Sequence, residues 1–320
     1  MTFFVLVTDE VDERGLSDLS GDPDFVVDRI DDSSAPEFAQ SLARVHAVIV
    51  RSATTVDAAM LEAAPELKVV ARAGVGVDNI DVDAASRRGI AVFNAPSGNT
   101  MAAAELTMAL ILAVMRHVAE ADRSVRDGEW ERSRFQGVEL EGRTLGLIGA
   151  GRVGGEVVTR ARSFGMEVIV YDPYLTDSRA RELGFRLTDL DVLLESADVV
   201  SIHVPLTSET EALLGAEELA SMKSSAYLVN IARGGVVDES ALAEALSHGR
   251  LAGAALDVYE TEPLPADSPL RQAPNLVMTP HIGAATQDAQ VRVAAEVAQR
   301  IRDALTAGDL SAALNRAALD

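Results

Sequence analysis

The 320-residue sequence predicts an α/β protein with two doubly wound parallel sheets. Over the first hundred residues, short apolar runs alternate with helical patterns, and a second alternation begins at Thr144. Near the start of the second half, a glycine-rich turn joins an apolar strand to a helix. Uninterrupted runs of Val, Ile and Leu are typical of parallel strands buried on both faces. The length suits two domains better than one.

The first half predicts four strands, at 3–8, 47–50, 68–73 and 90–95. Between them we predict helices at 36–44, 56–63 and 82–88. Thr100 can cap a long helix over 101–119, which contains no Gly or Pro and has a mostly apolar surface. Such a surface indicates burial against another domain or subunit. Trp130 follows it and is interpreted either as core packing or as part of a dimer contact.

The second half predicts strands in the runs TLGLI, EVIVY, DVVSI, AYLVN, GAALD and NLVM, with a helix at 153–164 after the first. The last predicted helix, at 287–307, is long and amphipathic. It and the helix at 101–119 are the natural crossings between the domains, so we expect the C-terminus to return to the first domain.

The charge balance restricts the partners. With 50 acidic and 28 basic residues the net charge is −22, which argues against nucleic acid because its phosphates would be repelled. The only lysines are Lys68 and Lys223, a bias that either a halophile or a GC-rich genome would explain. No apolar run approaches the roughly 18 residues of a membrane span, and the N-terminus has no basic segment, so we expect a cytoplasmic protein without a membrane partner. There is no cysteine and no His, Asp or Glu cluster with ligand spacing, so no metal is expected.

A dinucleotide-binding turn is predicted at Gly149-x-Gly151-x-x-Gly154, directly after a strand and at the start of a helix. The first glycine permits the tight turn, the second lets the backbone approach a pyrophosphate, and the third lets helix and strand pack closely. The helix N-terminus offers N–H groups to phosphates. The next strand ends at Asp172, whose carboxylate can bind both ribose hydroxyls and would repel a 2′-phosphate. NAD is therefore the expected cofactor.

Three ionisable side chains stand at strand ends of the same half: Arg233 in NIARGG, Glu262 in DVYETEP and His281 in MTPHIGAAT. Taken singly, each has an ordinary structural explanation. Together they suit the oxidation of an alcohol by hydride transfer. Histidine can take the hydroxyl proton, a carboxylate can orient the imidazole, and a guanidinium can hold a substrate carboxylate.

The order of the motifs RSATTV, RAGVGVDNID, NAPSGNT, LGLIGAGRVG, HVPLTSET, NIARGG, DVYETEP and PHIGAAT resembles the D-isomer-specific 2-hydroxyacid dehydrogenases over nearly the whole chain. The resemblance implies a Rossmann cofactor domain at 98–287, inserted in a flavodoxin-like substrate domain at 1–97 and 288–320. It implies catalytic roles for Arg233, Glu262 and His281, and a homodimer or homotetramer formed through the cofactor domain.

The resemblance also implies cofactor contacts beyond the three glycines and Asp172. These further residues are Val75, Arg152, Val153, Val204, Ile231, Asp257, Gly283 and Ala284. His203 is expected to flank the cofactor, whereas His46, His117 and His248 are expected to be structural.

The substrate is expected to be a small anionic 2-hydroxy acid. RSAT resembles the members that oxidise D-3-phosphoglycerate to 3-phosphohydroxypyruvate in serine biosynthesis, where its arginine, here Arg51, reaches the phosphate. Arg72, Gly74, Gly76 and Asn99 are the other expected substrate contacts. A surface role for Arg51 stays open. Two alternative functions also stay open: a hydroxypyruvate or glyoxylate reductase of the same family and, more remotely, an NADH-sensing corepressor-like protein. The chain stops near residue 320, which implies a form without the C-terminal regulatory domain of many relatives, although a shortened chain would look the same.

Overall fold

The computed structural model of the protein describes residues 2–32 and 34–319. They form two compact units, one comprising the chain up to Asn99 together with the segment from Ala284 onward, and the other comprising Thr100–Gly283. The expected boundaries at 97/98 and 287/288 differ from these by two and four residues. The second boundary shifts because the residues just before the last helix are bonded to it. Thr286 is its N-cap and accepts a hydrogen bond from the N–H of Ala289, and the carbonyl of Ala284 accepts one from Gln290 Nε2.

The first unit has a parallel sheet with helices between its strands. Its strands are β1 (Phe3–Val7), β2 (Phe25–Arg29), β3 (Ala47–Val50), β4 (Val69–Arg72) and β5 (Ala91–Asn94), in the spatial order β2-β1-β3-β4-β5. The helices are α1 (Glu13–Ser20), α2 (Pro36–Leu42), α3 (Ala58–Glu62), α4 (Val82–Arg87) and the C-terminal α12 (Gln287–Arg302). The central strands β3 and β4 are almost fully buried, as their unbroken apolar sequences predict.

Helix α1 lies directly on α12, and a single glycine permits the approach. A Cβ at Gly15 would lie 2.4 Å from the carbonyl oxygen of Val291. The contact joins the C-terminal segment to the first unit, which comprises the chain up to Asn99 and the segment from Ala284 onward.

The second unit has a parallel sheet of seven strands. The strands are β6 (Thr144–Ile148), β7 (Glu167–Tyr171), β8 (Arg186–Leu187), β9 (Val199–Ile202), β10 (Tyr227–Asn230), β11 (Gly253–Leu256) and β12 (Leu276–Met278). Their spatial order is β12-β11-β10-β9-β6-β7-β8. The helices are α5 (Thr100–Met115), α6 (Val118–Arg126), α7 (Arg152–Ser163), α8 (Asp177–Glu182), α9 (Leu190–Ser196), α10 (Ala216–Ser221) and α11 (Glu239–Ser247). The strand order reverses between β6 and β9, and the crevice beyond such a reversal is where open α/β sheets bind ligands.

The prediction of one helix over 101–119 is wrong. Helix α5 ends at Met115, His117 takes a left-handed conformation with φ of 53°, and α6 departs at an angle of 63°. The Met115 carbonyl accepts a hydrogen bond from the N–H of Val138, a segment distant in sequence, instead of continuing the helix. The break therefore has a tertiary cause.

Two further differences concern the ends of the first unit. Strand β2 and helix α1 were not predicted, because FVVDR ends in charged residues and α1 has only two leucines as an apolar stripe. The predicted helix at 287–307 keeps its α-helical form to Arg302 and continues as a π-helical turn that Gly308 ends.

No single helix in the described part of the chain is long and apolar enough to cross a membrane. Helices α5 and α6 reach that length and apolar character only together, and they are bent by 63° where they meet.

Candidate active site

The glycine-rich turn between β6 and α7 has the geometry that its sequence predicts. Gly149 has φ of 89°, a left-handed conformation that favours glycine, and a Cβ there would lie 2.7 Å from the carbonyl oxygen of His203. At Gly154 a Cβ would lie 2.4 Å from the carbonyl oxygen of Gly149, so the helix and the turn are in direct contact. At Gly151 nothing lies within 4 Å of the Cβ position. The N-terminus of α7 therefore faces open space, as a pyrophosphate site requires.

Asp172 follows β7 and fixes the shape of the same turn. Its Oδ2 accepts a hydrogen bond of 2.9 Å from the N–H of Ala150, and its Oδ1 accepts one of 3.0 Å from the N–H of Tyr174. An ionised carboxylate has about four acceptor positions, so two backbone bonds leave capacity for a ribose. The open space at Gly151 and the half-buried Asp172 suit NAD, for which α7 would hold the pyrophosphate and Asp172 the adenosine ribose.

The other predicted cofactor residues of the second unit lie along the carboxyl edge of the sheet. Arg152 and Val153 open α7, Val204 follows β9 with Cγ1 2.7 Å from the Cβ position of Gly149, and Ile231 follows β10.

His203 is a neutral histidine beside this turn. Its Nε2 lies 2.8 Å from Ser201 Oγ, and its Nδ1 is buried without a hydrogen-bond partner among the described residues. Burial lowers the pKa of His203 to about 3. Its backbone carbonyl lies against the glycine turn.

His281 and Glu262 form a hydrogen-bonded pair. His281 Nδ1 lies 2.7 Å from Glu262 Oε2, although 19 residues separate them in sequence. The two side chains follow the neighbouring strands β12 and β11, so the strand order brings them together. Both are partly exposed, at 49% and 36%, and no hydrogen bond from the described residues reaches His281 Nε2. A substrate proton can therefore reach that nitrogen.

The backbone around His281 is held by Asp257, at the end of β11. His281 has φ of 53°, an uncommon conformation for a residue with a side chain. Asp257 Oδ1 accepts hydrogen bonds from Thr279 Oγ1 at 2.5 Å and from the N–H of Ile282 at 2.8 Å. Its Oδ2 accepts one from the N–H of Gly283 at 2.8 Å. The sequence predicted a cofactor contact for Asp257. The structure shows a fully buried carboxylate that fixes the segment on both sides of the histidine.

Tyr259 links the same two segments, and nothing in the sequence marked it. Its N–H donates to Glu262 Oε1 at 3.1 Å, and its hydroxyl donates to the carbonyl of Thr279 at 2.9 Å. Desolvation by burial, then the nearby Asp257, raises the pKa of Tyr259 to about 12. The hydroxyl therefore keeps its proton and its hydrogen bond at ordinary pH. The one signal that could have pointed to it is its place between a buried strand and the predicted acid of the site.

Arg233 lies in the turn after β10, the next strand of the sheet. Buried Asn230 shapes that turn, with Nδ2 donating to the carbonyl of Arg233 at 2.8 Å and Oδ1 accepting from the N–H of Ala232 at 3.0 Å. Arg233 Nη1 donates to the carbonyl of Ala232 at 2.7 Å. Arg233, Glu262 and His281 thus follow three adjacent strands, β10, β11 and β12.

The predicted substrate residues of the first unit differ in how they are engaged. Arg51, after β3, donates from Nη1 to the carbonyl of Glu10 at 2.9 Å and lines a cavity of about 670 Å³ with Arg29 and the first turn of α12. Arg72 donates to the carbonyls of Arg51 and Gly76, so it braces the two loops. The N–H of Gly74 donates to the carbonyl of Arg72 at 2.8 Å and is therefore engaged within the loop.

The other predicted site residues of the first unit are Asn99, Val75 and Ala284. Asn99 Oδ1 is buried and has no hydrogen-bond partner within the described residues. The carbonyl of Val75 accepts a hydrogen bond from Asn94 Nδ2, and the carbonyl of Ala284 accepts one from Gln290 Nε2 at 2.8 Å. The described residues hold no group of three or more His, Asp or Glu side chains that could bind a metal ion.

The fold and this site define a dinucleotide-binding protein with a histidine–carboxylate pair at the carboxyl edge of its sheet. Residues 108–283 match the family model described as "D-isomer specific 2-hydroxyacid dehydrogenase, NAD binding domain". The chain belongs to this family and carries its NAD-binding domain, and the resemblance read from the motifs is confirmed.

Relatives of known sequence and structure agree. The chain is 50% identical over 268 residues to the D-3-phosphoglycerate dehydrogenase of Archaeoglobus fulgidus, covering 84% of this chain and 51% of that protein. It is 46% identical over 299 residues to the Bacillus subtilis protein of the same name, covering 93% and 56%. The chain thus spans about half the length of these curated relatives.

A crystal structure of a Thermus thermophilus protein superposes with a TM-score of 0.88 at 38% identity, covering 98% of this chain and all of that one. A glyoxylate reductase structure from Paecilomyes thermophila superposes with a TM-score of 0.87 at 29% identity, covering 99% of each chain. These matches confirm the fold class of two parallel-sheet α/β domains.

Proposed function

We propose that the protein is an NAD-dependent D-2-hydroxyacid dehydrogenase in which Arg233, Glu262 and His281 are the catalytic residues. The observation that carries this proposal is the 2.7 Å contact between His281 Nδ1 and Glu262 Oε2, which leaves Nε2 accessible. Family membership supplies the reaction class.

In the oxidative direction, His281 Nε2 accepts the proton of the substrate 2-hydroxyl. NAD, when bound at the glycine turn, would supply the acceptor for the hydride from C2. Glu262 keeps the proton of Nδ1 in place and stabilises the imidazolium that proton uptake creates. Arg233 binds the substrate carboxylate with its guanidinium and so orients C2 and its hydroxyl. The alcohol thus loses one hydride and one proton and becomes a ketone.

The test replaces His281 by alanine and follows NADH absorbance with a panel of 2-hydroxy acids. General acid–base catalysis contributes about 10²–10⁴-fold, so turnover should fall by that factor while NADH binding stays near normal. His248→Ala is the matched control, because His248 is an exposed residue that ends α11. Wild-type turnover in His281→Ala would contradict the assignment.

For the substrate we propose D-3-phosphoglycerate, oxidised to 3-phosphohydroxypyruvate in serine biosynthesis. The names of the curated relatives at 46–50% identity support it, as does the position of Arg51 beside a cavity at the carboxyl edge of the first sheet. Arg51→Ala should reduce phosphoglycerate turnover while glyoxylate turnover is spared, with exposed Arg88→Ala as control. Equal small effects on both substrates would favour a hydroxypyruvate or glyoxylate reductase, and no turnover of any hydroxy acid would favour an NADH-binding regulator.

We also propose that the protein forms a homodimer through the face that carries α6 and Trp130. Trp130 is 77% exposed, so the alternative of core packing is wrong for this chain, and Val118 and Val125 of α6 are also exposed. Large apolar side chains left exposed in this segment are ones that an interface would remove from water. Light scattering of Trp130→Ser should show a weaker dimer than the wild type. A wild-type protein that is monomeric at all concentrations would refute this.

A further inference from the structure

The loop that carries Glu262 is held by a second carboxylate, which has no assigned role. Glu239 is the first residue of α11, and one of its side-chain oxygens accepts a hydrogen bond of 2.6 Å from the N–H of Glu260. In return, Glu260 Oε1 accepts a hydrogen bond of 3.4 Å from the N–H of Glu239. The two residues are 21 positions apart, so this pair joins the start of a helix to the loop after β11.

The loop 259–262 is short, and its other contacts lead to the catalytic pair. Tyr259 donates its N–H to Glu262 at 3.1 Å, and Glu262 lies 2.7 Å from His281 Nδ1. A displacement of the N–H of Glu260 would therefore move the carboxylate that orients the histidine.

The same loop lies against the turn of the predicted substrate-binding arginine. A Cβ at Gly234 would lie 1.9 Å from the carbonyl oxygen of Tyr259, so the residue after Arg233 is in direct backbone contact with the loop. Glu239 follows soon after the same turn. It is thus placed to hold the Arg233 turn and the Glu262 loop in one fixed arrangement.

The surroundings of Glu239 are unfavourable for a carboxylate, which indicates a specific role. Burial raises the pKa of Glu239, the hydrogen bond from the N–H of Glu260 partly opposes this, and the nearby charges of Glu260, Glu262 and Asp238 raise the pKa further. An acid in the first turn of a helix is favourable when it lies at the surface. The cap of α11 is already supplied by Asp238, which accepts a hydrogen bond from the N–H of Ala241. Nothing in helix capping requires Glu239 to be half-buried among like charges.

We infer that Glu239 is a positioning residue that holds the loop of Glu262, and through it the orientation of His281, by accepting the N–H of Glu260. The inference rests on the proposed function, because it assigns a role in that reaction. The role it assigns is exerted through the hydrogen bond to the loop and not on the reacting atoms.

The test compares Glu239→Ala, which removes the acceptor, with Glu239→Gln, which keeps an acceptor oxygen and removes the charge. Misplacement of a catalytic group by about 1 Å can cost about a hundredfold in rate, so we expect kcat of Glu239→Ala to fall by about tenfold to a hundredfold. The KM for NAD should stay within about twofold of wild type, since the glycine turn is untouched. Glu239→Gln should stay within about threefold of wild type in kcat. Glu244→Ala, an exposed acid of the same helix, is the control.

A second measurement needs no turnover. The proton on His281 Nδ1, shared with a carboxylate, should give a downfield ¹H resonance in the protein alone, identified by its absence in His281→Ala. We expect this resonance to shift or broaden in Glu239→Ala and to persist in Glu239→Gln and Glu244→Ala. If Glu239→Ala does not fold, Glu239→Asp takes its place, since its shorter side chain cannot reach the same N–H without moving the loop.

The outcomes separate the two proposals. A wild-type protein without dehydrogenase activity defeats the proposed function. An active wild type, together with a Glu239→Ala variant of unchanged kcat and unchanged His281 resonance, defeats the positioning role alone. A Glu239→Gln variant as impaired as Glu239→Ala would also overturn the positioning role, because glutamine keeps the acceptor oxygen to which that role is assigned.

Discussion

The two glycines Gly151 and Gly154 provide a sharp test of how the dinucleotide turn works, because an added methyl group meets different surroundings at each. At Gly154 the new Cβ would lie 2.4 Å from a backbone oxygen of Gly149, and ordinary contact begins near 3.4 Å. Helix α7 and the turn would have to separate by about 1 Å. Overpacking of this kind costs about 1–3 kcal/mol, and the better helix propensity of alanine returns at most about 1 kcal/mol. The overlap is with a backbone atom, which cannot turn aside, so the upper part of that range, about 2–3 kcal/mol, applies. We therefore expect Gly154→Ala to lose about 1–2 kcal/mol of unfolding free energy.

Gly151→Ala should behave in the opposite way. Its φ of −68° suits any residue, and nothing lies within 4 Å of the added methyl group. We expect its unfolding free energy to stay within about 0.5 kcal/mol of wild type. The methyl group would occupy the space before α7 that we assign to the pyrophosphate, so NADH affinity should fall at least about tenfold, or about 1.4 kcal/mol.

Urea unfolding followed by circular dichroism measures the first quantity, and NADH fluorescence titration measures the second. Equal destabilisation by the two substitutions would refute the geometric reasoning. So would a Gly151→Ala variant that binds NADH as tightly as the wild type.

Three further predictions concern the same unit. Burial lowers the pKa of His203 to about 3 from its ordinary 6.5, so stability linked to this group is present above pH 6.5 and is lost as the pH falls towards 3. At about pH 5 the wild type should have lost about 2 kcal/mol of unfolding free energy. Urea unfolding should show a smaller loss between about pH 7 and about pH 5 in His203→Gln than in the wild type, and an equal loss in the two proteins would count against the prediction. Gly234→Ala should lower unfolding free energy by about 1–3 kcal/mol or more, because its Cβ would overlap the Tyr259 carbonyl, and wild-type stability would be inconsistent with that contact. Asp257→Ala should leave the backbone N–H groups of Ile282 and Gly283 without their acceptor. Each of these groups that stays buried should cost about 1–3 kcal/mol of unfolding free energy, and a thermal melt identical to that of the wild type would disprove this.

Much of the fold could be predicted because its signals are local. Unbroken apolar runs such as AVIV and YLVN marked the strands, and a glycine spacing marked the turn at Gly149. The failures were elements whose limits depend on distant residues. Helix α5 ends where the N–H of Val138 donates a hydrogen bond to the carbonyl of Met115, and no Gly or Pro marks that end in the sequence.

The candidate site divides in the same way. Residue type and position after a strand were enough to select Arg233, Glu262 and His281 as a set. The roles of Asp257, Tyr259 and Glu239 could not be read from the sequence, because each acts through hydrogen bonds to backbone groups that only the folded loops bring within reach.

The sequence by itself determined the α/β alternation, the dinucleotide turn and the types of side chain available for acid–base chemistry. Those features follow from periodicity and spacing within one strand–turn–helix segment. The tertiary structure alone decided that His281 meets Glu262. That contact requires β11 and β12 to be neighbours in the sheet and His281 to adopt a left-handed backbone conformation. Strand order and loop conformation depend on the summed packing of the whole unit, and no short stretch of sequence encodes them.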